Sequence, residues 1–297
     1  MKANMELTLG PIYYNWERDD ILKFYEEVSC WPVDRVYLGE VVCSLKRELS
    51  SDDLHKIGKE LIQSGKEVVI SGLALISNES DLDSLRAVFD LPYPIEANDM
   101  SVFNMNGDRE VIAGPHIATY NTPSIEFLKE NLGVKRVVFP VELSKDAIGH
   151  ILSGTAIEGE IVAYGRVPLA FSWRCYTLRH LGLSKANCRN NCKAYPEGIP
   201  VNTVTDQSIF TINGTQVLSG PVYSLLEYID ELQEIGVKAL RISPEYRDTG
   251  DVVKIFRKRM DGKLSSNDAA DELQKVSKAQ LCNGWYQGKE GIEFFSE

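Results

Sequence analysis

The chain has 297 residues, 43% hydrophobic and 25% charged, an ordinary globular balance that allows one large barrel or two smaller domains. Forty-three acidic residues against thirty-two basic ones give a formal charge of -11, which argues against nucleic acid as a partner, because duplex binding rests on Lys and Arg contacts to phosphate. No run approaches the roughly 18 apolar residues of a transmembrane segment. Met1-Lys2-Ala3-Asn4-Met5-Glu6 shows no signal-type pattern. A cytoplasmic protein is therefore expected, in which six cysteines stay reduced and serve metal binding or catalysis before disulfides.

In chain order, apolar β-branched runs alternate with amphipathic stretches, the pattern of βα units. Residues 7–10 (LTLG) open the series, with a helix over 19–28. Residues 35–39 (RVYLG) are the second strand, followed by a helix beginning near Ser51 with Asp52 and Asp53 in its first turn. Strands three to five are 67–71 (EVVIS), 94–97 (PIEA) and 111–114 (VIAG). Asn121-Thr122-Pro123 then starts a helix that ends at Gly133. Strands six to eight are 136–141 (RVVFPV), 160–164 (EIVAY) and 238–242 (KALRI).

Between the last two strands lie a cysteine-bearing insertion, a hairpin over 210–218 with Asn213-Gly214 as its turn, and a helix over 223–235. Two further helices follow Ser243. The expected fold is α/β, a (β/α)₈ TIM-barrel-like single domain over 1–297 with the insertion at about 171–220. A doubly wound open sheet would show the same local pattern.

In a barrel, function lies on the loops after the strands. Those loops carry Tyr13 and Tyr14, Glu40 and Cys43, Asn98 and Asp99, His116, Tyr120, Glu142, and the segment from Cys175 to Cys192. Twelve residues separate Cys175 from Cys188, and Cys192 follows Cys188 by four. Cys43 and Cys175 would complete a four-thiolate set suited to either a 4Fe–4S cluster or zinc. Zinc more often uses two tight C-x₂-C pairs, absent here, and scattered buried thiols are the plainer alternative. Arg166, Arg174, Arg179, His180, Arg189 and Lys193 surround the group, and cations suit a net-negative cluster. Cys30 and Cys282 lack this polar, loop-like setting and are assigned to packing.

The candidate catalytic side chains are His116, Glu40, Glu142 and Arg166. His116 suits a general acid or base or an anion contact. Glu40, Glu96, Asp99 and Glu142 would bind substrate or position Arg166, or else form structural ion pairs. Peptidase chemistry has little to stand on: no Gly-x-Ser-x-Gly elbow and no His-Glu-x-x-His helix occurs.

Several segments are specific: 37–44 (YLGEVVCS), 95–99 (IEAND), 113–116 (AGPH), 139–144 (FPVELS), 164–170 (YGRVPLA) and 240–244 (LRISP). With 282–284 (CNG), they make the chain resemble, over nearly its full length, the ubiquinone-synthesis branch of the collagenase-like peptidase (U32-type) family. The resemblance implies a 4Fe–4S cluster on Cys43, Cys175, Cys188 and Cys192. It also implies oxygen-independent hydroxylation of a quinone precursor, in a heterodimer with a UbiU-like sister subunit. A lipid-carrier protein would present the substrate, and a prephenate-like hydroxyl donor is suggested by relatives that hydroxylate RNA bases. An RNA-base hydroxylase and a non-catalytic, zinc-stapled interaction module are the alternatives.

Overall fold

Eight short strands with buried, mostly apolar positions close on themselves in the computed structural model, which describes residues 5–46, 48–105 and 107–296. Residues 1–4, part of the segment without a signal-type pattern, lie outside them. The wall comprises β1 (Glu6–Leu9), β2 (Arg35–Leu38), β3 (Glu67–Ser71), β4 (Ile95–Ala97), β5 (Val111–Ala113), β6 (Arg136–Val138) and β7 (Glu158–Gly165). Its eighth strand is β13 (Ala239–Ile242), parallel to β1 through Leu7 and Leu240 and to β7 through Leu240 and Ile161. That double pairing leaves the barrel no edge. It separates the fold from an open doubly wound sheet, and each of the eight strands falls on a run that the sequence marks.

Helices alternate with the strands as α1 (Arg18–Val28), α2 (Ser51–Gln63), α3 (Glu79–Phe89), α4 (Thr122–Leu132) and α5 (Lys145–Thr155). Their ends follow local chemistry. Ser50 and Asp53 form a reciprocal capping box at α2. Asn121 caps α4, Pro123 sits in its first turn, and Gly133 stops it in the left-handed conformation at φ 68°.

Beyond β7 the chain leaves the barrel. An antiparallel sheet of order β8-β11-β10-β9 forms from β8 (Pro168–Phe171), β9 (Ile199–Asn202), β10 (Ser208–Asn213) and β11 (Gln216–Ser219). The short helix α6 (Tyr176–His180) lies within the same insertion. Asn213 pairs with Gln216, so the hairpin turn is Gly214-Thr215 and not Asn213-Gly214.

The helix expected over 223–235 is a larger miss. Val222–Ser224 is a strand, β12, and α7 spans only Ile229–Glu234. The reason is tertiary. At eight residues β7 outruns the barrel, and its last residues pair antiparallel with Tyr223 and Ser224. Helices α8 (Thr249–Met260) and α9 (Ser266–Val276) match the two expected after Ser243, and β14 (Leu281–Cys282) adds to β12. Among the described residues no helix is long and apolar enough to cross a membrane.

The barrel's centre is charged. Arg241, wholly buried, reaches Glu96 at 2.6 Å and Glu160 at 2.8 Å. Glu160 also accepts from Thr8 and Tyr37, both at 2.7 Å. The Arg241 guanidinium lies 3.8 Å from the Tyr37 ring centroid. Removing one member of such a set strands its partners, at a cost of about 3–5 kcal/mol.

Candidate functional site

Cys43 sits on the loop after β2. Gly39 starts that loop at φ 124°, where a Cβ would lie 2.5 Å from the Ser71 carbonyl oxygen, so only glycine fits without displacement. The Glu40 carboxylate then accepts the Val42 N–H at 2.7 Å and the Cys43 N–H at 3.0 Å, folding the loop around itself. Lys46 holds Glu40 at 3.3 Å and donates to the Tyr13 carbonyl. Burial raises the Glu40 pKa, against the opposing pull of Lys46 and the two amides. Its role here is to shape the Cys43 loop.

The other three thiols come from the insertion. Cys175 opens α6 and accepts the Leu178 N–H at its Sγ, 3.5 Å away. Cys188 ends one short turn, and Asn190, left-handed at φ 56°, admits the next, which carries Cys192. The barrel loops pin this stretch. Asn15 donates to the Cys192 Sγ at 3.2 Å, Lys193 bridges Glu48 at 2.7 Å and Glu17 at 2.9 Å, and Trp16 donates to the Pro196 carbonyl at 2.9 Å. On the other side Thr215 donates to the Val42 carbonyl at 2.8 Å, tying the hairpin to the Cys43 loop.

Cys175 feels its neighbours electrostatically. Burial first, then the neighbouring Cys192 and Cys188, raises the Cys175 pKa. Burial raises that of Cys43 too, while Lys185, three residues before Cys188, is near enough to oppose it. All four are free and partly exposed. By contrast Cys282 is buried, its thiol pushed up to about 12 by burial, as its assignment to packing expects, whereas Cys30 is exposed just past the end of α1 and does not pack. Among the described residues no three His, Cys, Asp or Glu side chains stand close enough to hold a single metal ion. The donor chemistry, four thiols drawn from three loop segments, fits a thiolate-ligated cluster.

Of the cations expected around the thiols, Lys193 is ion-paired and Arg174, Arg179, His180 and Arg189 are exposed, and Lys185, a further cation of the insertion, lies 3.4 Å over the Trp173 ring. Arg166 belongs to another group. Its backbone N–H and its Nη1 both reach Glu245 at 2.8 Å, and the Tyr14 hydroxyl donates to the same carboxylate at 3.2 Å. Glu245, and not Glu40, Glu96, Asp99 or Glu142, therefore positions Arg166. Those four are engaged elsewhere: Asp99 caps the turn Met100–Asn104, Glu96 faces Arg241, and exposed Glu142 takes a bond from Tyr120 at 3.3 Å. Glu245 directly follows the specific segment 240–244, a position after β13 that could have flagged it.

His116 rests its ring against Phe171, with centroids 4.6 Å apart, and lines a pocket of about 580 Å³ with Asn98, Ile117 and Phe127. Its Nε2 is buried without a hydrogen-bond partner. Burial, assisted by the Arg241 charge, holds its pKa down to about 3, so the imidazole is neutral at pH 7. A neutral ring with a free nitrogen can accept or donate one hydrogen bond, but it carries no charge to an anion.

Residues 28–295 match the model of Peptidase family U32. Among solved structures, a DAHP synthase from Thermotoga maritima is 9% identical, with 94% of this chain and 72% of that one aligned at a TM-score of 0.46. A thiamine phosphate pyrophosphorylase from Pyrococcus furiosus is 10% identical, with 93% and 98% aligned at 0.42. A tryptophan synthase complex, also from Pyrococcus furiosus, is 10% identical, with 92% and 100% aligned at 0.46.

Proposed function

The chain belongs to peptidase family U32, and from that premise we propose that it is an iron–sulfur subunit, of the UbiV kind, of an oxygen-independent hydroxylase acting on a quinone-precursor ring. The observation that supports the proposal is that Cys175 feels its neighbours Cys188 and Cys192, while Thr215 of the insertion hydrogen-bonds the loop that carries Cys43, and all four thiols are free and partly exposed. In this reading Cys43, Cys175, Cys188 and Cys192 hold a 4Fe–4S cluster. Such a cluster, when bound, supplies one-electron transfer that an O₂-independent oxidation requires. The chain's own residues do the positioning. Glu40 shapes the Cys43 loop through its amides, Asn15 braces Cys192, and Lys193 fixes the last turn to two barrel loops.

A UbiU-like sister subunit, a lipid-carrier protein presenting the precursor, a prephenate-like hydroxyl donor and a cytoplasmic location complete this reading. The family's peptidase name finds no support in the site. A thiol peptidase needs a cysteine in hydrogen-bond reach of a histidine, and among the described residues no cysteine is hydrogen-bonded to one.

Iron, acid-labile sulfide and zinc per chain, measured on protein purified without oxygen, test the proposal directly. About four iron and four sulfide are expected in the wild type, both lost in Cys188→Ala. Stoichiometric zinc without sulfide would overturn it and leave a zinc-stapled interaction module.

A further inference from the structure

A second cavity, of about 420 Å³, opens between α1, α2 and α3 and the loops after β1, β2 and β3. Its outer part is apolar, walled by Ile21, Leu54, Leu85 and Val88 of the helix layer. Its inner end reaches the barrel wall at Gly39 and Ser71 and the loop residue Asn15. Gly39 presents no side chain there, and Tyr14 and Tyr25 supply aromatic surface alongside.

The inner end is polar and incomplete. Ser71 and Asn15 are 1% and 2% exposed, yet the Ser71 Oγ and the Asn15 Oδ1 have no hydrogen-bond partner. A buried polar atom left unpaired is unfavourable, and a ligand group would relieve it. The pair calls for a group that donates to an amide oxygen and accepts from a hydroxyl. Of the charged lining residues, Glu40 and Lys46 pair with each other at 3.3 Å and Glu48 pairs with Lys193 at 2.7 Å, so the cavity offers no unpaired charge. A neutral head is favoured over an anionic one.

This end also adjoins the thiols. The Asn15 amide that leaves its oxygen free donates its Nδ2 proton to the Cys192 Sγ at 3.2 Å. Glu40, on the same wall, accepts the Cys43 N–H.

We propose that this cavity binds a neutral phenol bearing an apolar tail, its hydroxyl between Asn15 and Ser71 and its tail directed outward between α2 and α3. The inference rests on the quinone-precursor reading for its biological ligand, and it seats the ring on this chain beside Cys43 and Cys192. The volume is within the range of small-molecule sites, about 300–1,000 Å³.

Titration calorimetry with 4-ethylphenol, 4-butylphenol and 4-hexylphenol, on the chain with and without its metal, tests it. Each added methylene should tighten binding about fourfold, from about 0.8 kcal/mol per buried CH₂. The methyl ether of 4-hexylphenol, which cannot donate, and heptanoate, which is charged, should bind at least tenfold more weakly. Val88→Trp, filling the outer part, should abolish the gain with tail length. Ser71→Ala should keep that gain and weaken the phenol and its ether alike, because it removes the hydroxyl that donates to either oxygen and leaves the Asn15 oxygen to which only the phenol donates.

Affinity independent of tail length, heptanoate equal to hexylphenol, or unchanged hexylphenol binding in a folded Val88→Trp chain would each overturn the proposal. If the chain lacks iron and sulfide but shows the phenol series, the cavity assignment stands and the hydroxylase reading falls. A cluster-bearing chain with a flat series has the reverse meaning.

Discussion

Glu160 shows how a carboxylate survives inside a barrel. Burial alone would raise its pKa, but Arg241 and Arg136, with the Thr8 and Tyr37 hydroxyls, outweigh burial and bring it down to about 2. A carboxylate with a depressed folded pKa contributes stability that is complete above its unfolded value and is lost as the pH falls toward the folded one. The window here runs from 4.5 down to about 2, a loss of about 3 kcal/mol at about 1.4 kcal/mol per unit. Wild-type melting temperature should therefore drop through that window. Glu160→Gln should start lower at neutral pH, because it strands part of the Arg241 charge, and should change less on acidification. Thermal melts of both proteins between about pH 7 and pH 3 check this, and parallel curves would show that Glu160 is not held ionised by its neighbours.

Residue chemistry was legible in the sequence to an uneven degree. Cysteine announces a possible ligand by its type, so the thiols stood out before any geometry. Glu160 and Arg241 did not, because a lone charge in a run such as EIVAY or KALRI does not reveal which face of the strand it occupies. That depends on closure of the sheet, a property of the whole chain.

At the scale of elements, strands and helices are written locally and their attachments are not. Apolar runs, Ser50, Asn121 and Gly133 suffice for the eight units. Tyr223 escapes a local reading because its strand exists by pairing with distant residues, Gly165 on one side and Cys282 on the other. The cysteine turns are a similar case. Their spacing is local, but their position depends on contacts to residues more than a hundred positions away, such as Asn190 with Glu48 and Lys193 with Glu17.

Lys193 is partly exposed, so its two ion pairs add little to global stability, about 1 kcal/mol or less. They restrain a segment, which is a different quantity. Lys193→Ala should leave the melting temperature of the metal-free chain within a few degrees of wild type while speeding limited proteolysis within residues 185–195. Equal cleavage rates would mean that Asn15, Trp16 and the Asn190–Glu48 contact hold the turn without it.

At the scale of the molecule, the insertion and the barrel mouth form one connected surface. Thr215 reaches the Cys43 loop, Asn213 donates to the Tyr13 carbonyl at 2.8 Å, and Phe171 covers His116. Any group bound by thiols of both the β2 loop and the insertion closes this circuit, and binding to the folded state stabilises whatever it bridges. The effect should be local. Helices α4 and α5 lie on the barrel wall away from the thiols and pack on each other. Hydrogen exchange compared between the cluster-loaded and cluster-free chain should therefore show protection rising about tenfold or more, about 1.4 kcal/mol, over residues 40–46 and 171–195. Residues 122–155 should exchange alike in both forms. Protection confined to the insertion would remove Cys43 from the ligand set, since a bridge that restrains only one side is not a bridge. Protection spread evenly over the barrel would instead mean that the cluster is coupled to global unfolding, with the insertion folding and melting as part of the same cooperative unit.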